Sequence, residues 1–272
     1  MSEQAENNVI EVENLVAHYG EREVLKGINL KIREGEIMVI MGGSGSGKTT
    51  LMRNLLGLNK PTSGSISILG KDITRISSRE LFRLRRKMGV AFQGGALLGS
   101  LTVAENVELP LRVHTKLDEN TIRIMSRMKL EVVNLAGFEG LMPSELSGGM
   151  VKRAALARST IMDPGLLFFD EPSAGLDPVV SAELDELILR IKKAMHVTII
   201  VVTHELHSAF TIADRITMLS NGRVLMTGTV DEVRNSDNEI IQGMLNRRPR
   251  DESVNAEEYL ARLTADRSSR HF

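Results

Sequence analysis

Short apolar, β-branched runs alternate with stretches of helical spacing along much of the chain, the pattern of a mostly parallel sheet covered by helices. Ile37 to Met41 predicts a buried strand leading straight into a glycine-rich loop, and Lys48 to Leu56 then carries helical spacing, ending near Gly57. Further buried strands are predicted at Met88–Phe92, Leu166–Asp170 and Val197–Thr203. Ile216–Leu219 and Arg223–Met226 flank Asn221-Gly222, a strong two-residue hairpin signal.

From about Leu97 to Ser159 convincing β runs give way to helical stretches, roughly Val103–Leu109, Asn120–Leu135 and Ser147–Ile161. A helical insertion within an α/β core is the economical account. The organisation expected is one domain over 9–246 with an insertion at about 97–159, then a charged tail over 247–272. The tail carries one short amphipathic stretch around Ala256–Leu263. Either it reaches a neighbouring subunit through Tyr259, Leu260 and Leu263, or it is a solvated end; composition does not choose between these.

Composition narrows the picture by exclusion. The 272 residues suit one large α/β domain or a domain with a substantial insertion. The charge sum, 34 Lys and Arg against 35 Asp and Glu, is near zero and interspersed, which weighs against a nucleic-acid binder. The absence of cysteine excludes disulfides and cysteine-based metal or redox chemistry, and is compatible with a reducing cytoplasm. Met1 to Asn8 is polar and acidic, without signal-peptide features. The most apolar run, Val197 to Val202, falls far short of the ~20 residues that cross a bilayer. Service to a membrane is therefore expected through a partner chain.

The chemistry starts at Gly42-Gly43-Ser44-Gly45-Ser46-Gly47-Lys48-Thr49, a Gly-x-x-x-x-Gly-Lys-Thr pattern continued by Thr50. Glycines let successive backbone N–H groups turn toward phosphate oxygens, and the following helix presents its positive end to the same anion. Lys48 is expected to neutralise β- and γ-phosphate charge, and the Thr49 hydroxyl to ligate Mg²⁺. The bland reading is a flexible Gly/Ser turn, which the placement between strand and helix disfavours. Leu166 to Glu171 is an apolar strand ending in two acids. Asp170 is placed to hold Mg²⁺ through water and Glu171 to polarise an attacking water, against the plainer reading of an exposed acidic turn.

Those two elements establish nucleotide binding without naming a family. Leu146-Ser147-Gly148-Gly149-Met150, followed by Lys152-Arg153-Ala-Ala-Leu-Ala-Arg158, closely resembles the signature motif of ABC ATPases. Physically it is a second anion site, a helix start with Ser147 as its cap. Gln93 matches the Q-loop, Ser173 to Asp177 the D-loop, His204 the switch histidine, and Tyr19 the aromatic that stacks on adenine. Singly each has an ordinary alternative: a solvated amide for Gln93, a strand-end polar residue for His204, core filling for Tyr19.

The resemblance implies a P-loop fold with a mostly parallel core sheet, an antiparallel β subdomain and the helical insertion. It implies ATP and Mg²⁺, with Thr49, Gln93 and Asp170 around the metal. It also implies a dimer in which ATP lies between one P-loop and the partner's Ser147–Gly149, Glu171 activating water while His204 orients water and γ-phosphate.

Phe92–Leu97, Leu101–Val107, Leu109–Thr115 and Leu141–Met150, with Met150 in place of the commoner Gln, are similar to the ATPase subunits of Mla/Mce-type lipid transporters of Gram-negative envelopes. That similarity implies a permease dimer, a STAS-domain partner and a periplasmic Mce-domain lipid carrier, with the ATPase on the cytoplasmic face of the inner membrane. The shared motifs leave open an importer of amino acids or another polar solute, and, further off, an assembly ATPase.

Overall fold

The computed structural model describes residues 7–246. The tail and its short amphipathic stretch lie outside the described residues. Two compact units meet in sequence at Ser236 and Asp237. In the first, the order is β1 (Asn8–Tyr19), β2 (Arg22–Arg33), β3 (Ile37–Gly42), α1 (Lys48–Leu55), β4 (Ser63–Ile68), β5 (Lys71–Asp72), α2 (Ser78–Arg85) and β6 (Met88–Ala91). Then come α3 (Val103–His114), α4 (Glu119–Val132), a 3-10 turn at Pro143–Glu145, α5 (Gly148–Thr160), β7 (Leu166–Asp170) and α6 (Pro178–Met195). The unit closes with β8 (Thr198–Thr203), α7 (Leu206–Ile212), β9 (Arg215–Ser220), β10 (Arg223–Gly228) and α8 (Val230–Arg234). The second unit contributes α9 (Glu239–Leu245), whose first N–H groups are capped by the Asn238 side chain.

A six-stranded sheet runs in the order β10-β9-β3-β8-β7-β6. All its neighbouring strands are parallel except the β9–β10 pair. Strands β3 and β8 are buried along their whole length, as central parallel strands covered on both faces must be. At the β9–β10 turn, Asn221 and Gly222 both have positive φ (49° and 76°), the geometry the Asn-Gly pair predicts.

A second, antiparallel sheet in the order β2-β1-β4-β5 supplies the other wall of the core. Leu51, Met52 and Leu55 of α1 join Ile10, Leu15, Leu25 and Ile28 of this sheet and Met38, Ile40, Phe168 and Ile200 of the parallel sheet in one apolar cluster. The hydrophobic effect thus seats α1, and the loop before it, against β3.

The helical insertion is present as α3, α4 and α5. Helix α3 continues five residues past the predicted Leu109 end, through Pro110 to His114. Proline removes one N–H but does not end this helix. A Thr102–Glu105 capping box fixes its start, and buried Val103, Val107 and Leu111 hold one face in the core.

Candidate functional site

Every parallel strand of the core ends at the same edge, and the chemistry-bearing residues follow those ends. Strand β3 ends at Gly42, where an added Cβ would lie 2.3 Å from the Leu219 carbonyl oxygen, so no side chain fits. Gly47 caps α1 with φ 105° and offers no side-chain hydrogen bond, leaving the first N–H groups of the helix facing out of the loop. The Ser46 hydroxyl is buried without a partner, and Ser44 and Gly45 are exposed beside it. A polar, open-mouthed backbone cradle results. Lys48 Nζ lies along it, donating to the carbonyls of Gly42 (2.8 Å) and Gly43 (3.2 Å). Burial pushes its pKa down, while the Glu171 and Asp170 carboxylates hold it up. Thr49 is exposed at the helix start, and the Thr50 carbonyl accepts from Asn54 Nδ2 at 2.8 Å.

Asp170 ends β7, and burial and the neighbouring Glu171 charge push its pKa up, against Arg53, Lys48 and Lys152. Glu171 is buried, and its φ of 49° is a left-handed value rarely taken by a residue with a side chain. That turn aims the carboxylate at the end of β8. Glu171 Oε2 accepts from the Thr203 hydroxyl at 3.0 Å and from the His204 backbone N–H at 3.3 Å. His204 Nδ1 lies 2.8 Å from Glu171 Oε1; an ionised carboxylate only accepts, so in that state Nδ1 carries the proton. Oε1 therefore receives one donor where Oε2 receives two, and keeps a lone pair for water.

Around this group the other predicted residues are spread unevenly. Gln93 is exposed just past β6, and its carbonyl accepts from Lys152 of α5. Tyr19, at the end of β1, is 81% exposed, which rules out the core-filling alternative. Ser147 caps α5, its Oγ accepting from Met150 N at 3.3 Å, and it is exposed together with Gly148. An added Cβ at Gly149 would meet Val180 at 2.8 Å, and one at Gly148 would meet Leu176 at 3.7 Å. The start of α5 thus packs beside the segment holding Asp177. Asp177 is itself the cap of α6, Oδ1 accepting from Val179 N (3.0 Å) and Val180 N (3.1 Å). Lys48, Asp170, Glu171 and His204 come together within one chain. Among the described residues, no hydrogen bond joins Ser147–Gly149 to Gly42–Thr49.

Sequence reasoning gave no role to Lys152, Arg158 or the buried Asp185–Ser208 pair. The Ser208 hydroxyl donates to Asp185 Oδ2 at 2.8 Å and lies 3.3 Å from the Ser173 hydroxyl, which backs the Ser173–Asp177 segment with a polar network. Lys152 was visible as a cation one turn into the signature helix; Asp185 gave no signal beyond an acid at an apolar helix position.

This set of cradle, paired acids, histidine and second helix start defines an ABC-type nucleotide-hydrolysing domain. The ABC transporter family model matches residues 25–174, and the chain belongs to that family as its ATP-binding, ATP-hydrolysing component. It is 44% identical over 229 residues to the intermembrane phospholipid transport system ATP-binding protein MlaF of Haemophilus influenzae, covering 84% of this chain and 87% of that protein. It is 41% identical over 258 residues to the probable ribonucleotide transport ATP-binding protein Mkl of Mycobacterium leprae, covering 92% of this chain and 74% of the relative. Among solved structures, the ATP-binding cassette MJ0796, a dimer in a post-hydrolysis state bound to ADP and Pi, superposes with a TM-score of 0.75 at 32% identity, over 81% of this chain and 98% of that one. No helix among the described residues is long and apolar enough to cross a membrane.

Proposed function

We propose that this chain powers phospholipid movement in a bacterial envelope, as the ATPase subunit of an Mla-like transporter on the cytoplasmic face of the inner membrane. The observation that carries this reading is the 44% identity to MlaF over 84% of the chain, in a stretch that includes the signature ending in Met150. A polar-solute cargo is the second reading, favoured by the similarity to Mkl, a probable ribonucleotide transport ATP-binding protein.

The working unit is a homodimer, its ATPase domain spanning 9–246, bound to a permease dimer, a STAS-domain partner and a periplasmic Mce-domain carrier. Each ATP is held by Gly42, Gly43, Ser44, Gly45, Ser46, Gly47, Lys48, Thr49 and Thr50, with Tyr19 stacked on adenine. Ser147, Gly148 and Gly149 of the second copy close over the γ-phosphate, beside Asp177. Exposure of Tyr19, Ser147 and Gly148 supports those assignments.

The Thr49 hydroxyl, the Gln93 side-chain oxygen and, through water, Asp170 form an all-oxygen donor set with one carboxylate. That set fits Mg²⁺ arriving with its nucleotide. Among the described residues no three His, Asp or Glu side chains cluster as a self-sufficient metal cage. Once bound, the metal would offset phosphate charge. Glu171 Oε1 accepts a proton from water as the water oxygen bonds to the γ-phosphorus and the bond to the ADP oxygen breaks. His204 holds that carboxylate in register through Nδ1 and orients water and γ-phosphate.

Purification of the full-length chain with its membrane partner, followed by mass spectrometry of co-extracted molecules, tests the cargo. Phospholipid enriched over the bulk membrane, and ATP turnover stimulated by added phospholipid, are expected. Turnover stimulated by a nucleotide or amino acid and indifferent to lipid would overturn the lipid reading.

A further inference from the structure

The signature helix reaches the hydrolytic corner of its own chain. One turn into α5, Lys152 Nζ donates to two backbone carbonyls from separate motifs, that of Gln93 and that of Glu171 (3.0 Å). Neither carbonyl belongs to a strand, because β6 ends at Ala91 and β7 at Asp170. The Glu171 carbonyl also belongs to a peptide in an unusual state. Its residue has φ 49°, and its own N–H is tied to the Val202 carbonyl at 2.8 Å. A left-handed conformation at a residue with a Cβ persists only where the surroundings over-determine it. The Val202 bond fixes one side of Glu171; on the other, its carbonyl accepts from the Ala174 N–H at 3.3 Å and, more closely, from Lys152.

The same helix secures the rest of the Gln93 segment. Arg158 donates to the carbonyls of Gly95 and Ala96, each at 2.7 Å, and Ala96 is itself held at φ 48°. A Cβ on Gly95 would lie 2.6 Å from Val151, so this loop lies directly on α5. Six residues separate the two cations, a rise of about 9 Å along a helix, which matches a loop held at both ends. Lys152 is not a surface lysine with its head in water. Burial lowers its pKa, opposed by the Glu171 and Asp170 charges.

We infer that Lys152 is a positioning residue, which ties the Gln93 and Glu171 backbones to the signature helix and so fixes the aim of the Glu171 carboxylate. The inference rests on Glu171 being the base that activates water. A shift of the signature helix reaches Glu171 and Gln93 of the same chain through one side chain. The helix that contacts the partner's nucleotide thereby sets the readiness of its own chain's base.

Steady-state ATP turnover of the full-length protein, purified with its membrane partner, tests this with Lys152→Met, Lys152→Arg and Glu171→Gln run together. Expected are a kcat about tenfold lower for Lys152→Met, KM for ATP within about twofold, and recovery to within about threefold for Lys152→Arg, since small misplacement of a catalytic group costs turnover before binding. Wild-type kcat in Lys152→Met, or a loss equally deep in Lys152→Arg, overturns the inference. So does a rise in KM without loss of kcat, or a matching fall in melting temperature in both lysine variants, which would mark binding or folding roles. Glu171→Gln separates the two levels of the argument. Its loss beside an active Lys152→Met removes the Lys152 role alone, whereas full turnover in Glu171→Gln removes the base assignment beneath it.

Discussion

At the start of α1 the cap is Gly47, which brings no side chain to its helix; at the start of α5 the cap is Ser147, which satisfies one N–H from outside. The first helix start is backed by the core. Lys48 and Asp170 are half-buried, Glu171 is buried, and the Glu171 charge acts on both Lys48 and Asp170. The second is exposed at Ser147 and Gly148, has no acidic residue in its first turn, and packs beside the Asp177 segment. One start has a buried carboxylate and a cation but is open above. The other has donors and nothing of its own to react with. On the proposed function the two are complementary halves, and within one chain, among the described residues, no hydrogen bond joins them.

The largest break in that comparison comes from the buried half. Lys48→Ala removes the cation that lies along the cradle and is expected to lower kcat/KM for ATP by on the order of 10²–10³-fold, read in a steady-state assay. Turnover within a few-fold of wild type would mean that the backbone cradle alone carries the phosphate.

The smallest expected effect concerns the support behind the exposed half, and it is one of stability. Asp185 is buried, with Oδ1 unpartnered and its pKa pushed up by burial, against the Ser208 hydrogen bond. A carboxyl whose pKa is raised on folding adds stability while protonated and loses it as pH rises through the folded-state value. Asp185→Asn is neutral throughout. It is expected to match wild type near pH 4 and to exceed it in urea midpoint at pH 8, the gap opening as Asp185 ionises. A wild type more stable than Asp185→Asn at pH 8 would show that the ionised carboxylate is a net stabiliser of the Ser173–Asp177 segment.

The parallel core was legible because its strands are uninterrupted apolar runs: Leu166–Asp170 is predicted and observed with the same bounds. The antiparallel sheet was not legible from pattern, and entered only through family resemblance. In β1, Ile10 and Val12 alternate until Glu13 and Asn14, both exposed, interrupt the period of two; Leu15 and Ala17 then resume it beyond an Asn14 with φ 45°. The register shift between Val12 and Leu15 makes that irregularity in the pairing itself. In β2, Gly27 at φ 76° separates Leu25 from Ile28 in the same way. At the site, motif spacing pointed to Gly42–Thr50, Asp170, Glu171 and His204, whereas Lys152 needed coordinates. Its role depends on two carbonyls 59 and 19 residues away, and backbone acceptors leave no trace in residue type.

The complementarity of the two halves is tested most directly by mixing two inactive variants of the full-length protein. Lys48→Ala disables the cradle and leaves Ser147–Gly149 intact; Ser147→Arg blocks the exposed helix start and leaves the cradle intact. With sites built across a two-fold dimer, each mixed dimer holds one complete site. An equal mixture should then recover roughly a quarter of wild-type ATP turnover, since half the dimers are mixed and each has one of two sites. A mixture no more active than the two variants measured apart would contradict the account, because it would place both halves of each site in one chain.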